Sequence, residues 1–369
     1  MDVHYDQAIL APALDAVERR RWLFANLPLD PMHERWIRQR AWVRTVHGST
    51  RIEGNTLSDL EVDRLLDGLG GKSLPRKDAL EVLGTRSALE LVDELATRPD
   101  VALDQSTIRE IHRRVLGGQS DLLTPGEYRR GENRVGGADG EIVFTTPASG
   151  DVPELMRALT AWLADHADVP APARAALAHL ELVAIHPFND GNGRTARAIS
   201  RLLLARGGYA LDGLVSLDAY LDTRRSDYLG AIRASIGRSY RPGYDATSFA
   251  AFFLGAITGA ADHVITRMRG LGEVQIRVRR DVVDGKLPPA MMDALAFAFI
   301  NRSLRAGDYR KVTGRTAPTT TRDLAAAVRA GYLVAEGTTR DRWYRLGPGL
   351  LETPAPGEPA DPRAATPRE

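Results

Sequence analysis

The segment from residue 172 to residue 206 constrains the fold of this chain more than any other part of it. An apolar helical pattern runs from Pro172 to Ile185, and Pro187 prevents its continuation because proline lacks the backbone N–H that a helix needs. A glycine-rich loop follows, and a second helix is predicted from Arg194 to Arg206. The loop therefore lies at a helix N-terminus, where free N–H groups and the helix dipole favour an anion.

The polar residues of this loop suit phosphate chemistry. Arg194 and Arg197 lie three residues apart on the second helix, so both guanidinium groups can point at one anion. Asp190 is a single carboxylate among phosphate-binding groups, which is a typical protein ligand set for Mg²⁺. His186 can act as a general base because an imidazole titrates near neutral pH. The pattern predicts phosphoryl or nucleotidyl transfer, and the missing GxxxxGK[ST] spacing excludes a Walker A loop.

Each of these residues taken singly also fits a structural role, such as an interhelical turn, a helix cap or a solvated charge. The combination from His186 to Arg197 is more specific. It resembles the Fic family (filamentation induced by cAMP), whose signature HPFx[D/E]GNGRxxR it matches at every defined position. The resemblance extends from about Pro31 to Met268. It implies an all-α, Fic-type helical bundle with a small β-hairpin flap, and the transfer of AMP from ATP to a protein hydroxyl.

The resemblance also implies a role for each matched position. His186 would be the catalytic general base, and Asp190 would be the ligand of a Mg²⁺ cofactor. Arg197 would grip the outer phosphates of the nucleotide. The remaining positions of the phosphate cradle are Gly191, Asn192, Gly193 and Arg194.

Two further segments resemble parts of the family less closely. The hairpin around residues 142–146 resembles the flap that aligns a target peptide by strand addition, and a purely structural hairpin is the alternative. Its turn is predicted at residues 138–140. Arg225 begins a stretch, residues 225–228, that resembles a segment reaching toward the nucleotide base, and a plain exposed helix is the alternative.

A second motif lies upstream, at residues 49–55. Locally it reads as an ordinary helix end, with Gly54 in the cap and Glu53 placed unfavourably near the negative end of the helix dipole. It also resembles the family's inhibitory motif [S/T]xxxE[G/N], matched by Ser49, Glu53 and Gly54, in the N-terminal position that defines class II. The resemblance implies that Glu53 occupies the guanidinium fork of Arg197, so that ATP binds unproductively.

Composition and patterning narrow the class of protein. A chain of 369 residues suggests two or three domains, and the absence of cysteine excludes disulfides, cysteine zinc sites and thiol nucleophiles. No signal-peptide pattern and no apolar run of about 18 residues is apparent, so we expect a cytoplasmic protein without membrane contact. The excess of arginine over lysine indicates a GC-rich bacterial gene. Helices are predicted near residues 31–66, 76–96, 106–116, 152–166, 223–236 and 248–268.

The C-terminal third is the basic part of a chain whose formal net charge is only +1. Residues 264–346 carry 16 basic and 8 acidic side chains. Residues 308–346 resemble a winged helix-turn-helix, with a recognition helix from Pro318 to Ala330 followed by a hairpin. Protein contacts or homodimerisation are slightly favoured for such a module, and binding to duplex DNA is the alternative.

The predicted organisation has four parts. They are a helical region with the inhibitory motif (1–100), the Fic catalytic core (101–263), the winged-helix module (264–346) and a disordered, proline-rich tail (347–369). The favoured function is a self-inhibited AMP transferase that modifies a Ser, Thr or Tyr hydroxyl of an unknown protein and of itself. The alternatives are a DNA-binding regulator that senses ATP, and a Fic enzyme that removes AMP or transfers another nucleotide.

Overall fold

The structure is a computed structural model that describes residues 1–68, 74–119, 124–136, 142–338 and 342–350. The chain divides into two compact units. The N-terminal unit comprises Met1–Pro28 and Arg38–Val264, and the C-terminal unit comprises Leu29–Ile37 and the chain from Ile265 onward. The fold is helical apart from short strands, which confirms the predicted fold class. The predicted tail beyond residue 350 and the predicted hairpin turn at residues 138–140 lie outside the described residues.

Eleven α-helices are described between residues 1 and 283, and the last of them continues from the N-terminal unit into the C-terminal unit. They are α1 (Gln7–Ala25), α2 (Pro31–Ile52), α3 (Asp59–Leu66), α4 (Arg76–Ala96), α5 (Gln105–Val115), α6 (Val152–Asp165), α7 (Ala171–Ile185), α8 (Asn192–Arg206), α9 (Leu217–Thr223), α10 (Arg225–Ile236) and α11 (Thr247–Val283).

Helices α7 and α8 form the centre of the N-terminal unit. Helix α7 is buried along almost its whole length, because its alanine-rich sequence lets neighbouring helices approach closely. Helix α8 packs against α7, α4 and α5. Gly84 also allows the close approach of α4 and α5, since a Cβ at that position would overlap the carbonyl of Val115 at the end of α5. The loop between α7 and α8 is therefore held by a rigid helical frame.

Four short strands form two small sheets in the N-terminal unit. Strands β1 (Val3–His4) and β4 (Tyr244–Asp245) pair in parallel. Strands β2 (Arg134–Gly136) and β3 (Ile142–Thr145) pair antiparallel, with Val135 opposite Phe144, and form the predicted hairpin. Thr145 also makes a parallel bridge to Ser239, so the outer edge of β3 is already covered at its C-terminal end. A target strand would have to add elsewhere on this hairpin.

Besides the first turns of α2 and the part of α11 from Ile265 onward, the described C-terminal unit contains three helices and a three-stranded sheet. These are α12 (Met291–Asn301), β5 (Ser303–Arg305), α13 (Ala306–Thr313), α14 (Ala317–Arg329), β6 (Leu333–Glu336) and β7 (Trp343–Leu346). The sheet has the order β5-β7-β6 and is antiparallel. A separate hydrophobic core includes Phe299, Leu324 and Tyr344, and Trp36 joins it from the segment Leu29–Ile37. The winged-helix assignment of this unit stays a prediction.

Several helix boundaries differ from those predicted. Helix α1 was not expected, and residues 217–236 form two helices that meet at Arg224. Helix α5 is capped by Asp104, which accepts a hydrogen bond from the Thr107 N–H. Helix α11 continues well beyond the predicted end at residue 268. By length and composition alone it could cross a membrane, although buried core helices meet the same criterion.

Candidate functional site

The loop between α7 and α8 closes on itself through one buried side chain. The Oδ1 atom of Asn192 accepts a hydrogen bond from the Phe188 N–H, and its Nδ2 donates to the Phe188 carbonyl, both over 2.9 Å. His186 and Gly191 at the two ends of the loop take left-handed backbone conformations, with φ of 50° and 75°. Because both ends of the Asn192 amide bind the loop, this residue shapes the predicted cradle and presents only its backbone N–H to a ligand.

The buried side chain of His112 contacts the loop through ring stacking and a hydrogen bond. The His112 ring lies 3.6 Å from the Phe188 ring, nearly parallel to it. The Gly126 N–H donates to His112 Nδ1, so the proton is on Nε2, which donates to the Asp190 carbonyl over 2.9 Å. Burial lowers the pKa of His112 to about 4. This histidine is therefore neutral at physiological pH and has a structural role.

A buried arginine ties the same loop to the β2–β3 hairpin. Arg129 donates from Nε to the His186 carbonyl over 2.9 Å and from Nη2 to the Pro147 carbonyl over 2.6 Å. Its Nη1 donates to Gly131, and its own backbone N–H donates to the Pro187 carbonyl over 2.9 Å. Burial lowers the pKa of Arg129. One side chain therefore fixes the position of the loop relative to the chain on both sides of the hairpin.

His186 presents one ring nitrogen as a base. Its Nδ1 lies 3.3 Å from the Val183 carbonyl, and because a carbonyl oxygen only accepts, Nδ1 carries the proton. The lone pair is then on Nε2. Burial lowers the pKa of His186, which keeps the imidazole neutral at pH 7. The side chain is thus in the protonation state that a general base requires.

Arg194 lies in the first turn of α8 with unused donors. Its side chain is buried, and its Nη2 lies 3.2 Å from Asp190 Oδ2. In the part of the chain that the structure describes, its Nε and Nη1 atoms have no hydrogen-bond partner. Buried polar atoms are normally paired, so donors like these mark the place of a missing acceptor. Together with the N-terminus of α8, they form a site for an anion such as a phosphate.

Arg197, one turn further along α8, is already occupied. Its Nη2 donates to Glu53 Oε1 over 2.8 Å and to the Ser49 carbonyl over 2.8 Å, and its Nε donates to Ser49 Oγ over 3.0 Å. Asp218 Oδ2 lies 3.9 Å from Nε. Although burial favours the neutral form, Glu53 and the other nearby acidic groups raise the pKa of Arg197. The predicted pairing with Glu53 is present, but it uses one carboxylate oxygen and not the bidentate fork that we expected.

The carboxylate of Glu53 lies directly against the predicted phosphate cradle. A Cβ at position 193 would overlap Glu53 Oε1, so only the glycine found there allows this approach. Gly54, the next residue of the predicted motif, has a φ of 96°, a conformation that glycine adopts without strain. The Glu53 side chain therefore packs against the first turn of α8 and contacts Arg197, the second arginine of the signature at residues 186–197.

Comparison with known proteins identifies the family of this segment. Residues 102–204 match the model of the Fic/DOC family. The chain contains a Fic/DOC domain. The predicted Fic domain is therefore confirmed, while the class II assignment stays a prediction.

Curated relatives carry the same family name. "Protein adenylyltransferase Fic" of Culex quinquefasciatus is 36% identical over 176 residues, which cover 46% of this chain and 33% of that protein. The protein of the same name from Drosophila melanogaster is 36% identical over 192 residues, or 49% of this chain and 37% of that protein. The chain thus spans about a third of the length of these relatives.

Two solved structures resemble this chain over most of its length. A Fic family protein from Desulfovibrio desulfuricans G20 has a TM-score of 0.61 and 22% identity, covering 94% of this chain and 98% of that chain. This likeness shows the fold alone. Fic-1 from C. elegans has a TM-score of 0.59 and 26% identity, covering 71% of this chain and 73% of that chain.

The structure places the predicted site residue Arg225 against the C-terminal end of α2. Its Nε donates to the carbonyl of Ile52, the last residue of α2, over 2.7 Å. The other predicted residues converge at the N-terminus of α8. They are Ser49, Glu53, Gly54, His186, Asp190, Gly191, Asn192, Gly193, Arg194 and Arg197.

Three buried residues around the candidate site were not predicted from the sequence. His112 gave a weak signal, since it follows the buried Ile108 by one helical turn. Arg129 is one of two adjacent arginines and gave none. Asp218 is buried in the second position of a short helix, and burial raises its pKa. Each acts through contacts distant in sequence, which a linear pattern does not reveal.

Proposed function

We propose that this Fic protein transfers AMP from ATP to a hydroxyl group of a protein. The observation that carries the proposal is the buried guanidinium of Arg194 in the first turn of α8, two of whose donors have no partner among the described residues. The neutral imidazole of His186 begins the loop that leads into this helix. An anion site next to a base is what nucleotidyl transfer requires. The curated relatives, which are named protein adenylyltransferase Fic, support it.

In the proposed reaction His186 Nε2 takes the proton of the attacking hydroxyl. The hydroxyl oxygen forms a bond to the α-phosphorus, the bond from that phosphorus to the bridging oxygen breaks, and pyrophosphate leaves. Arg194 and the first N–H groups of α8 stabilise the negative charge that the phosphates carry. Positioning by the closed loop supplies the alignment of the reacting atoms.

Asp190 is the residue that would hold Mg²⁺ in this scheme. Its carboxylate is partly exposed at the edge of the loop, 3.2 Å from Arg194 Nη2. The described residues contain no cluster of three acidic or histidine side chains, which fits an ion that takes its other ligands from water and phosphate oxygens. When bound, Mg²⁺ would neutralise part of the triphosphate charge.

We also propose that Glu53 inhibits this reaction. Glu53 and a γ-phosphate would compete for Arg197, and the Glu53 carboxylate lies where the glycine at position 193 opens the cradle. Only one partner of the ion pair is accessible to solvent, because the Arg197 side chain is 2% exposed and that of Glu53 is 38% exposed. Such a contact can open without unfolding the helices around it.

The experiment uses ATP labelled on the α-phosphate or on the γ-phosphate, Mg²⁺, and the purified chain with and without a bacterial lysate. Glu53→Gln removes the charge and keeps the shape, so it should raise the incorporation of α-label, including self-modification. Glu94→Gln, an exposed glutamate of α4, is the matched control and should change nothing. Incorporation of γ-label in place of α-label would refute AMP transfer.

The inhibitory part of the proposal has its own control. In an Arg197→Ala background the Glu53→Gln change should have no further effect, because the two residues act through one ion pair. An unchanged or lower rate for Glu53→Gln alone would refute inhibition. Removal of AMP from a labelled product, or a preference for another nucleotide, would favour the alternative Fic activities.

For the C-terminal unit we propose binding to duplex DNA. The exposed face of α14 carries Arg322 and Arg329 at helical spacing around the small Ala325. Of the described acidic side chains nearby, Asp323 is buried and accepts a hydrogen bond from a buried tyrosine, and Glu336 pairs with Arg345. The Arg322 side chain is largely exposed although its Nε lies 3.6 Å from Asp323 Oδ1, so this basic face supports contacts with a phosphate backbone. Protein contacts or homodimerisation are the alternative outcomes.

A further inference from the structure

Side chains of α9 and α10 contact the C-terminal end of α2. Glu53, the proposed inhibitory residue, follows directly after this end. Arg225, the first residue of α10, donates from Nε to the Ile52 carbonyl over 2.7 Å. One residue earlier, Arg51 Nε lies 3.3 Å from Asp222 Oδ2 in α9. The Ile52 carbonyl is one of the last four of its helix, which have no N–H partner within the helix. Arg225 therefore satisfies a carbonyl that the helix itself leaves unpaired.

We propose that Arg225 is a positioning residue that holds Glu53 in its inhibitory place, and that it is not a contact to the nucleotide base. The inference rests on the self-inhibition proposed above. The Ile52 carbonyl and the Glu53 N–H belong to one planar peptide unit. Fixing that carbonyl therefore fixes the direction in which the chain enters Glu53 and leads its side chain toward Arg197.

The chain after Glu53 is suited to a change of position. Glu53 lies outside α2, in a turn where its N–H and that of Gly54 bond to Thr50 and Arg51 carbonyls. Gly54 has a φ of 96° and no heavy atom within 4 Å of where its Cβ would be. Glu53 thus lies between a peptide fixed by Arg225 and a glycine with conformational freedom. Its withdrawal from Arg197 requires the turn to move, and the Arg225 hydrogen bond opposes that movement.

The two roles for Arg225 predict opposite results. If it held Glu53, Arg225→Ala would raise α-label transfer from ATP by roughly 3- to 10-fold, as expected for the loss of one partly exposed charged hydrogen bond. If it contacted the nucleotide base, the same change would lower the rate. The matched control is Arg224→Ala, whose side chain is exposed and lies near Asp227. A lower or unchanged rate for Arg225→Ala would overturn the proposal.

A double variant separates positioning from nucleotide binding. In a Glu53→Gly background there is no carboxylate left to position, so adding Arg225→Ala should leave the rate of the single variant unchanged. A further loss of activity in this background, with a higher KM for ATP, would overturn the proposal and support the contact to the base.

Amide hydrogen exchange tests the inference without any catalysis. Arg225→Ala should speed exchange at residues 53–55, whose N–H groups bond to the last turn of α2, while exchange in the buried helix α7 stays unchanged. Unchanged exchange at residues 53–55 would overturn the proposal. If Glu53→Gly showed no AMP transfer at all, the proposed function would fail, and the exchange result would still decide whether Arg225 holds the turn.

Discussion

The protonation state of His186 follows from its position at the end of α7. Burial there lowers its pKa, and the Val183 carbonyl fixes the proton on Nδ1. The nitrogen that remains basic is Nε2, so neither a proton nor a tautomer change is needed before the hydroxyl arrives. The adjacent Arg129 guanidinium bonds to the backbone carbonyl of His186 and not to its ring, so it leaves the base free.

The pH dependence of AMP transfer should reflect this lowered pKa. A base works only when unprotonated, so activity is retained above its pKa and lost as the pH falls through it. In the Glu53→Gly variant we expect label transfer to be constant near neutral pH and to fall with a midpoint below ~6.5, the ordinary histidine value. Initial rates between pH ~5 and ~8 measure this midpoint.

The control for that profile is His186→Ala. It should lower transfer by roughly 10²- to 10⁴-fold, the usual range for a general base, while ATP binding persists. A midpoint at or above ~6.5 in the Glu53→Gly variant would contradict the assigned environment of His186. Loss of ATP binding in step with activity would make His186 a structural residue.

At the scale of elements, the helices and loop around the site were largely predictable. Pro187 and the glycines end and restart helices through local backbone effects, which a sequence shows directly. Helix α1 was missed because it contains Pro12, which usually ends a helix. The break at Arg224 has neither glycine nor proline, and α11 continues through a charged stretch because tertiary packing outweighs local propensity. The predicted contact between Glu53 and Arg197 depended on recognising two motifs together.

Arg129 offers a test of how the loop and the hairpin are joined. Arg129→Ala would leave several buried carbonyls without donors, so we expect a loss of unfolding free energy of about 2–4 kcal/mol and a large fall in label transfer. Arg130→Ala removes the neighbouring side chain, which is 90% exposed, and should change stability by less than ~0.5 kcal/mol. Denaturant titration of both variants measures the difference, and equal losses would refute the joining role.

At the scale of the whole molecule, the division into units was only partly visible in the sequence. The change to a basic composition marks the region after residue 264. The short segment Leu29–Ile37 belongs to the C-terminal unit, yet it precedes the rest of that unit by more than 200 residues. No local pattern reports such a long-range assignment. The four-part domain scheme, the homodimer and the cytoplasmic location stay predictions.

Trp36 tests the assignment of that segment. Its side chain is 9% exposed and meets the Phe297 ring edge-on, with centroids 5.2 Å apart. Trp36→Ala should lower the unfolding free energy of the C-terminal unit by about 3–5 kcal/mol. ATP binding should persist, because the phosphate-handling residues lie in the N-terminal unit. Trp22→Ala, at a tryptophan 66% exposed, is the matched control and should cost less than ~0.5 kcal/mol.

The denaturation of these tryptophan variants should also show two transitions, because the two units have separate cores. We expect only one of the two to move in Trp36→Ala. Loss of ATP binding together with the C-terminal transition would show that the units unfold as one.

The basic face of α14 makes binding to DNA measurable through its salt dependence. Each phosphate contact releases counterions, so the affinity of the full chain for duplex DNA should fall with a log-log slope near −0.9 per contact. Replacing Arg322 and Arg329 by alanine should reduce that slope by roughly one unit for each arginine, equally for unrelated DNA sequences.

The matched control is Arg345→Ala, since Arg345 is already paired with Glu336 and should contribute little. Fluorescence titration at several salt concentrations measures the slope. No binding at ~50 mM salt, where even non-specific DNA-binding proteins associate, would leave protein contacts or homodimerisation as the role of this unit.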